Sequence, residues 1–98
     1  MYVSIRRAKT QEYASDEIVR RASEELLPQL RTIAGFVSYD ILMLEDESLM
    51  TISVFDSKVA ANESNQLFVN WAKGFDLTSL IQGTPELVVG EIVFHQSK

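Results

Sequence analysis

The pattern of apolar and polar residues along the chain predicts four strands and two helices. Alternation of the two classes, which is typical of strands, occurs near the N-terminus, in two neighbouring central runs and near the C-terminus. Apolar residues at helical spacing mark the two segments in between. In chain order, the predicted elements are a strand over 1–7, a helix over 15–27 with a further turn to 33, strands over 36–44 and 49–55, a helix over 57–73 and a strand over 86–94.

The order of these elements, β-α-β-β-α-β, predicts the fold class α+β. It is the order of a ferredoxin-like fold, in which an antiparallel sheet carries both helices on one face. A chain of 98 residues has room for one domain, and no linker or change of composition divides it. We therefore expect residues 1–98 to form a single domain.

Residues with strong local preferences support the predicted helix boundaries. Ser15 is predicted to cap the first helix, and Asp56 or Ser57 the second, because a side-chain oxygen can accept a hydrogen bond from a free N–H of the first turn. Pro28 is expected to interrupt the first helix, since it lacks an N–H and crowds the preceding turn. Gly74 is expected to end the second helix.

Both faces of the predicted sheet are rich in apolar residues. The set predicted to lie under the helices is nearly all apolar: Val3, Ile5, Val37, Tyr39, Ile41, Met43, Met50, Ile52, Val54, Val88, Ile92 and Phe94. The set predicted to face outward is about half apolar: Tyr2, Ser4, Arg6, Phe36, Ser38, Asp40, Leu42, Leu49, Thr51, Ser53, Phe55, Leu87, Val89, Glu91 and Val93. A sheet face open to water is normally polar, so the pattern predicts a homodimer that buries two outward faces against each other.

Arg6 falls on the predicted outward face together with Asp40 and Glu91. These charges could form an ion pair inside the dimer interface or a solvated pair at its edge. The alternation leaves both arrangements open.

The charge and cysteine content exclude several classes of function. A formal net charge of −5, with basic clusters only at Arg6-Arg7 and Arg20-Arg21, argues against nucleic acid or an anionic membrane as a partner. The absence of cysteine excludes disulfides, thiolate chemistry and cysteine-based zinc sites. No stretch has the pattern of a signal peptide or a membrane span, and we expect a cytoplasmic protein.

Four stretches of the sequence resemble a known family. The segments "LLPQLRTIAGFVSYDIL" and "ISVFDSKVAANES", a following tryptophan and "PELVVGEIVF" are similar to the antibiotic-biosynthesis-monooxygenase-type (ABM-like) domains. The resemblance spans almost the whole chain and implies a dimeric α+β barrel, in which two ferredoxin-like protomers join sheet to sheet and each has a pocket between sheet and helices. The family includes cofactor-independent oxygenases acting on phenolic polyketides, haem-degrading enzymes and proteins without an established activity.

The residues that the resemblance implies for these enzymes are incompletely present. The oxygenases call for an asparagine one helical turn before the tryptophan and a tyrosine shortly after it, where this chain has Leu67 and, near the second position, Leu77. The haem-degrading enzymes call for an asparagine in the first strand and a later histidine that ligates iron. The first strand here is "YVSIRR", and Ile81 and Gln82 stand where that histidine belongs.

Trp71 is the only tryptophan of the chain and the main candidate for a ligand contact. Helical spacing places it in the apolar stripe of the second helix, while Asn70 falls on the polar flank. Two interpretations follow, namely that Trp71 packs in the core or that it forms one wall of a pocket.

A small pocket near Trp71 is predicted from its expected neighbours. Ser64 is a small polar residue in the apolar stripe, and Tyr39 brings a hydroxyl that needs a partner if it is buried. Gly90 either leaves a gap in the last strand or marks a β-bulge. The predicted ligand pocket therefore consists of Trp71, Tyr39, Ser64, Phe68 and Gly90.

Other groups with reactive side chains carry little chemistry. His95, the only histidine, is expected on the surface near the C-terminus. Glu45, Asp46 and Glu47 lack the spacing of a calcium loop and are expected to form a solvated turn. No phosphate-binding glycine motif and no placed carboxylate pair occur, so the sequence predicts no metal and no cofactor.

Three hypotheses about function follow. The first is a small-molecule-binding dimeric barrel that acts as a cofactor-independent monooxygenase on an aromatic or phenolic substrate. The second is a homodimer of the same fold that binds a ligand without catalysis or is purely structural. The third is haem binding and degradation.

Overall fold

The computed structural model describes all 98 residues, and its elements follow the predicted order. A four-stranded antiparallel sheet in the order β2-β3-β1-β4 carries the helices on one face. None of the helices is both long and apolar enough to span a membrane. The elements are β1 (Tyr2–Thr10), α1 (Ser15–Arg21), a π-helical turn (Ala22–Leu26), α2 (Leu27–Leu30), β2 (Phe36–Met43), β3 (Ser48–Phe55), α3 (Lys58–Gly74), a 3₁₀ turn (Leu77–Ser79) and β4 (Ile81–Glu91).

The predicted faces of β1, β3 and β4 are reversed in the structure. Ser4 and Arg6 of β1 stand opposite Ser53 and Thr51 of β3, and this face is the one that the helices cover. Ser4 and Ser53 are fully buried and Arg6 is only 2% exposed. Periodicity shows which residues share a face, but not which of two partly apolar faces the helices cover. The more apolar set was taken for the core, whereas the helices cover the more polar one.

In β2 the predicted faces are correct beyond a bulge at its start. The register between β2 and β3 shifts between Phe36 and Ser38, so Phe36, which was predicted to face outward, faces the helices together with Tyr39. Ile41 also packs against the core, as predicted. Val37, predicted to be buried, lies in the bulge and is 48% exposed.

The outer face of the sheet now carries the more apolar set. Val3 stands opposite Val54, and Ile5 stands between Ile52 and Val88. We call these five residues the outer-face patch. They are half-buried or exposed in the single chain.

Arg6 forms no ion pair with either of the carboxylates expected beside it. Arg6 lies under the helices, whereas Asp40 stands opposite Ile52 on the outer side and is exposed. Glu91 shares the face of Arg6 but stands opposite Tyr2, at the start of β1. The predicted ion pair is therefore wrong.

The first helical segment bends where the proline is expected to disturb it. A π-helical turn ends at Leu26, and Pro28 occupies the first turn of α2. Because Pro28 has no N–H to offer the preceding turn, a wider hydrogen-bonding pattern replaces the regular one. The predicted cap at Ser15 is wrong, since Ala14 precedes the helix and no side chain caps it.

The boundaries of α3 agree with the sequence. The Ser57 hydroxyl accepts a hydrogen bond from the Ala60 N–H at 3.2 Å, and the helix ends at Gly74. Gly35, before β2, has a φ of +88°, and a Cβ there would stand 1.9 Å from an Asp56 carboxylate oxygen. Glycine is therefore required at this turn.

The last strand begins earlier and ends earlier than predicted. β4 pairs with β1 from Ile81 to Glu91, with an irregularity opposite Arg7 to Lys9 that takes in Gly83 and Pro85. Phe94 and His95 follow the strand and are exposed. The irregular segment matters for the site, because Pro85 lines the cavity described next.

Candidate ligand-binding site

A cavity of about 40 Å³ lies between the sheet and the helices. We call it the inner cavity. Most of its wall is apolar, and its polar contributions come from the strands. The lining residues are Arg6, Arg7, Ala8 and Thr10 of β1, Ile18, Ala22 and Leu26 of the first helical segment, Tyr39 of β2, Leu49 and Thr51 of β3, Phe68 and Trp71 of α3, Leu77 of the 3₁₀ turn, and Ile81 and Pro85 of β4.

A larger cleft of about 610 Å³ adjoins the inner cavity. We call it the outer cleft. The two spaces share Phe68, Leu77, Ile81 and Pro85 as lining residues, so these four side chains separate them. Val69 and Ala72 of α3 add further apolar wall on the cleft side. The site therefore consists of a small buried end and a wider region near the surface.

Arg6 is a buried cation without an anionic partner. Its guanidinium donates through Nε to Thr51 Oγ1 at 2.8 Å, through Nη1 to Ser4 Oγ and Asn65 Oδ1, both at 3.3 Å, and through Nη2 to Ser53 Oγ. All four acceptors are neutral, and no carboxylate lies within ion-pair distance. Burial lowers the pKa of Arg6 from 12.5 to about 10, so the side chain stays protonated at neutral pH.

Two aromatic rings flank the Arg6 guanidinium. Its central carbon lies 5.6 Å from the centroid of the Phe68 ring and 6.0 Å from that of Tyr39. These distances are at the outer limit of a cation–π contact, so the rings contribute only weakly to stabilising the charge.

Tyr39, which lines the inner cavity, carries an unsatisfied polar group. Its hydroxyl is buried and has no hydrogen-bond partner. Burial raises the pKa of Tyr39, against the opposing effect of the Arg6 charge. The Thr51 hydroxyl also opposes the increase, although it stands near Tyr39 without the geometry of a hydrogen bond. The phenol is therefore neutral at physiological pH and free to donate.

Ser64 does not line the inner cavity but contacts Arg6 indirectly, through the hydroxyl of Ser4. Its hydroxyl donates to the Ala61 carbonyl at 2.7 Å, and the Ser4 hydroxyl stands 2.6 Å from it. Since Ser64 has one hydrogen to give, Ser4 is the donor to Ser64 and accepts from Arg6 in turn. The order of donors fixes the Ser4 oxygen as an acceptor toward the guanidinium.

Trp71 lies where helical spacing predicts, in the buried stripe of α3, and Asn70 is exposed on the flank. The indole packs against Phe75 and Phe68 at centroid distances of 4.6 and 5.9 Å. Its Nε1 donates to Glu25 Oε1 of the π-helical turn at 3.1 Å. Trp71 is thus both part of the core and a wall of the inner cavity, so the two interpretations of this residue are compatible.

Of the five predicted pocket residues, three meet at the inner cavity: Trp71, Tyr39 and Phe68. Gly90 does not belong to it. It stands opposite Val3 on the outer face, where a Cβ would meet only a Val3 methyl at 4.0 Å. The prediction for Gly90 failed because the faces of β4 were reversed.

Arg6 is the residue that sequence reasoning missed. It was assigned to the outer face and to an ion pair with carboxylates. A signal was nevertheless present, since hydroxyl residues recur on the alternating positions that share its face, at Ser4, Thr51 and Ser53. Hydroxyl groups at successive core positions indicate a buried polar group that needs acceptors.

The remaining charged candidates form no site. Asp46 accepts from the Ser48 N–H at 3.0 Å and pairs with Arg7 at 2.7 Å in the turn between β2 and β3. These two contacts hold the Asp46 pKa below its ordinary value, Ser48 contributing most. The acidic turn thus orders the hairpin.

The residues of the site do not fit haem iron. No histidine, cysteine or methionine lines the inner cavity or the outer cleft, and the only histidine, His95, is exposed beyond β4. Ile81, at the position where the resemblance calls for the ligating histidine, fills part of the wall.

Comparisons with known proteins identify the fold. No protein-family model and no curated protein matches the chain. Among solved structures, the ActVA-Orf6 monooxygenase of Streptomyces coelicolor, in complex with nanaomycin D, superimposes with a TM-score of 0.77 at 17% identity, covering 99% of this chain and 91% of that one.

Two further structures superimpose about as well. A variant of SnoaB, a cofactor-independent oxygenase from Streptomyces nogalater, gives a TM-score of 0.73 at 17% identity over 99% of this chain and 97% of that one. A variant of MhuD with two manganese protoporphyrin IX molecules per active site gives 0.78 at 17% identity over the full length of both chains. The chain therefore has the fold of the antibiotic biosynthesis monooxygenase-type proteins, as the resemblance in its sequence predicts.

Proposed function

We propose that this chain is an ABM-like protein that binds a small, largely apolar molecule between its sheet and helices. The observation that supports this most strongly is the inner cavity, whose wall is mostly apolar and is lined by Arg6 and by Tyr39, whose hydroxyl has no hydrogen-bond partner. An apolar site with a few converging polar groups is how proteins usually bind and orient small organic ligands.

The sizes of the two spaces indicate how such a ligand would lie. Ligand sites usually measure roughly 300–1,000 Å³. The outer cleft is in this range at about 610 Å³, whereas the inner cavity at about 40 Å³ admits only a polar substituent. The body of the ligand would rest in the cleft against α3, and one oxygen-bearing group would pass Phe68 and Leu77 toward Tyr39.

We further propose cofactor-independent oxygenation of an aromatic or phenolic substrate as the activity. In such a reaction a phenol and dioxygen give a quinone and water: one oxygen atom becomes the new carbonyl, the other leaves as water, and the substrate supplies all the electrons. The protein would position the substrate, exclude water and stabilise developing negative charge on oxygen. In this proposal, Arg6 and Tyr39, which line the inner cavity, would stabilise that charge.

Two of the similar structures support this class of reaction, since one is a monooxygenase in complex with nanaomycin D and another a cofactor-independent oxygenase. The chain nevertheless lacks the asparagine and the tyrosine that the resemblance calls for, since Leu67 and Leu77 stand at or near those positions. Leu77 lines the inner cavity as an apolar residue. The polar groups of this chain come instead from β1 and β2, through Arg6 and Tyr39.

Ligand binding is tested by titrating the protein with 2-naphthol in a calorimeter and comparing wild type with Trp71→Phe. We expect the variant to stay folded and to bind about tenfold more weakly, because the smaller ring leaves part of the wall open. Tyr13→Phe is a matched control, since Tyr13 is 91% exposed. Binding unaffected by Trp71→Phe, or absent in wild type, contradicts the proposed site.

Catalysis is tested separately with labelled dioxygen. Uptake of one labelled atom into a bound phenolic substrate, without added cofactor, supports a monooxygenase. Saturable binding without oxygen uptake would instead favour the alternative of a non-catalytic ligand-binding homodimer.

We also propose that the chain forms a homodimer through the outer-face patch. Val3, Ile5, Ile52, Val54 and Val88 form a continuous apolar surface on three adjacent strands. An exposed apolar sheet face of this kind is typical of an interface.

A further inference from the structure

The charge of Arg6 has no explanation within the folded chain. Buried cations in proteins are normally paired with an anion, because the desolvation of an unpaired charge is costly. Arg6 is 2% exposed, yet its partners are three hydroxyls and one amide oxygen. These neutral acceptors hold the guanidinium in place without neutralising it.

The hydrogen bonds around Arg6 leave one donor free. A guanidinium has five N–H groups, and the four hydrogen bonds to Thr51, Ser4, Asn65 and Ser53 use four of them. The remaining N–H is on Nη2. Tyr39 lines the same inner cavity and has an unpaired hydroxyl.

Arg6 and Tyr39, which both line this small space, therefore have one positive charge and two unused donors between them. The donors suit an oxygen atom that carries negative charge, because charge-assisted hydrogen bonds are stronger than neutral ones. A volume of about 40 Å³ is close to that of one water molecule, which occupies roughly 30 Å³ of liquid, and so admits an oxyanion group and little else.

We propose that Arg6 and Tyr39 form an oxyanion-binding site, and that the ligand of this protein is an organic anion whose charged oxygen enters the inner cavity while its apolar body occupies the outer cleft. This inference rests on the proposed function and adds the charge of the ligand to it. A carboxylate and an ionised enol or phenol share the required chemistry.

The supporting side chains fit this role. Ser64 orders the hydroxyl of Ser4 so that its oxygen accepts from Arg6, and Phe68 covers the guanidinium on the side of α3. The cation is thus held in a fixed position before any ligand arrives, which reduces the ordering cost of binding.

The experiment compares ligands that differ in charge but little in shape. Wild-type protein is titrated in a calorimeter with 2-naphthoate and with its neutral amide, 2-naphthamide. A second pair, 2-hydroxy-1,4-naphthoquinone, which is ionised at neutral pH, and its 2-methoxy ether, distinguishes an enolate from a carboxylate. We expect at least one anion to bind about tenfold or more tightly than its neutral counterpart, the ratio expected for a charge-assisted hydrogen bond.

Variants of the protein then test whether Arg6 causes the preference for an anion over its neutral counterpart. Arg6→Met keeps the length of the side chain and removes the charge, and we expect it to bind anion and neutral counterpart with nearly equal affinity. Tyr39→Phe should retain part of the preference. Arg31→Met removes an exposed positive charge of the first helical region and should leave the preference unchanged.

Thermal stability separates a binding role from a structural one. If Arg6 serves a ligand, the melting temperature of Arg6→Met should change little, because the loss of a buried charge without a counter-ion, which stabilises the fold, offsets the loss of four hydrogen bonds. If Arg6→Met fails to fold, the charge of Arg6 is structural and the inference is contradicted, whatever Tyr39→Phe shows.

The outcomes for the wild-type protein distinguish the two proposals. Equal binding of anions and neutral counterparts contradicts the oxyanion site and leaves the proposed small-molecule function intact. Absence of binding by all four compounds, together with no binding of 2-naphthol, contradicts both. An anion preference that survives Arg6→Met contradicts the assignment to Arg6.

Discussion

At the scale of single residues, Arg6 and Tyr39 are buried polar groups that lower the stability of the fold, and such groups indicate a functional site. The lowering of the Arg6 pKa from 12.5 to about 10 corresponds to roughly 3 kcal/mol against holding that charge in the fold. The Tyr39 hydroxyl adds a second unsatisfied group in the same cavity. Unsatisfied buried groups are rare in stable cores and recur at binding sites, where a ligand completes them.

The Tyr39 hydroxyl gives a prediction about pH. Its raised pKa means that the folded state holds this proton more tightly than the unfolded chain does. The resulting stabilisation is present below the unfolded value near 10 and is lost as the pH rises through the folded pKa. In a spectrophotometric titration, we expect Tyr39 to ionise above the ordinary range of a tyrosine, and Tyr39→Phe to remove that component.

The stability of the same variant checks the burial argument. Tyr39→Phe removes a hydroxyl that has no partner, so the free energy of unfolding at neutral pH should stay the same or rise by about 1 kcal/mol. A loss of more than about 1 kcal/mol would show that the hydroxyl has a partner in the folded protein.

The sequence was informative about some of these residues and not about others. Helical phase correctly separated buried Trp71 from exposed Asn70, because the 3.6-residue period leaves little freedom over so long a helix. The alternation along the strands did not place Arg6 or Gly90 on the correct face, since both faces of a strand have the same two-residue period. The choice between them depends on which face the helices cover, and that is a property of the whole fold.

At the scale of elements, the two helical segments show how far local rules reach. Ser57 precedes α3 with an extended backbone and caps it, as predicted. Ser15 has the same residue type at the same apparent position, but the helix begins one residue earlier, so Ser15 lies in the first turn instead of at the cap and its hydroxyl forms no capping hydrogen bond. Whether a serine caps a helix therefore depends on the backbone of the residues before the helix, which the helical period does not describe.

This contrast gives a matched pair of substitutions. Ser57→Ala should lower the free energy of unfolding by about 1 kcal/mol, the usual cost of losing an N-cap. Ser15→Ala should change it by less than about 0.5 kcal/mol, because alanine is a good helix former and no cap is lost. Chemical denaturation monitored by Trp71 fluorescence measures both. Equal effects of the two substitutions would contradict the assignment of the caps.

At the scale of the whole molecule, the sheet divides two tasks between its faces. The face covered by the helices holds Arg6 and its hydroxyl partners at positions that are usually apolar. The outer face carries the apolar residues that normally lie on the covered face. The element order β-α-β-β-α-β was predictable from periodicity, and so was an apolar surplus on the sheet. Which residues form the surplus was not predictable, because Arg6 and its hydroxyl partners make the pattern of the covered face resemble that of an exposed one.

The outer-face patch gives the last prediction, which concerns assembly. A stable interface usually buries about 800 Å² on each partner, and a sheet face of three strands can supply an area of that order. Ile5 lies at the centre of the patch on β1, between Ile52 and Val88. Ile5→Lys would place a charge in the middle of the proposed interface, and we expect this variant to be a monomer at micromolar concentration while wild type is a dimer.

Sedimentation velocity measures this difference, and Val59→Lys is the control. Val59 is 75% exposed in the first turn of α3, on the far side of the chain from the patch, so the same change of charge there should leave the dimer intact. A monomeric wild type, or a dimer that survives Ile5→Lys, would contradict the interface. Because the ligand site opens on the helix side, the monomeric variant should still bind 2-naphthol, which would separate assembly from ligand binding in this fold.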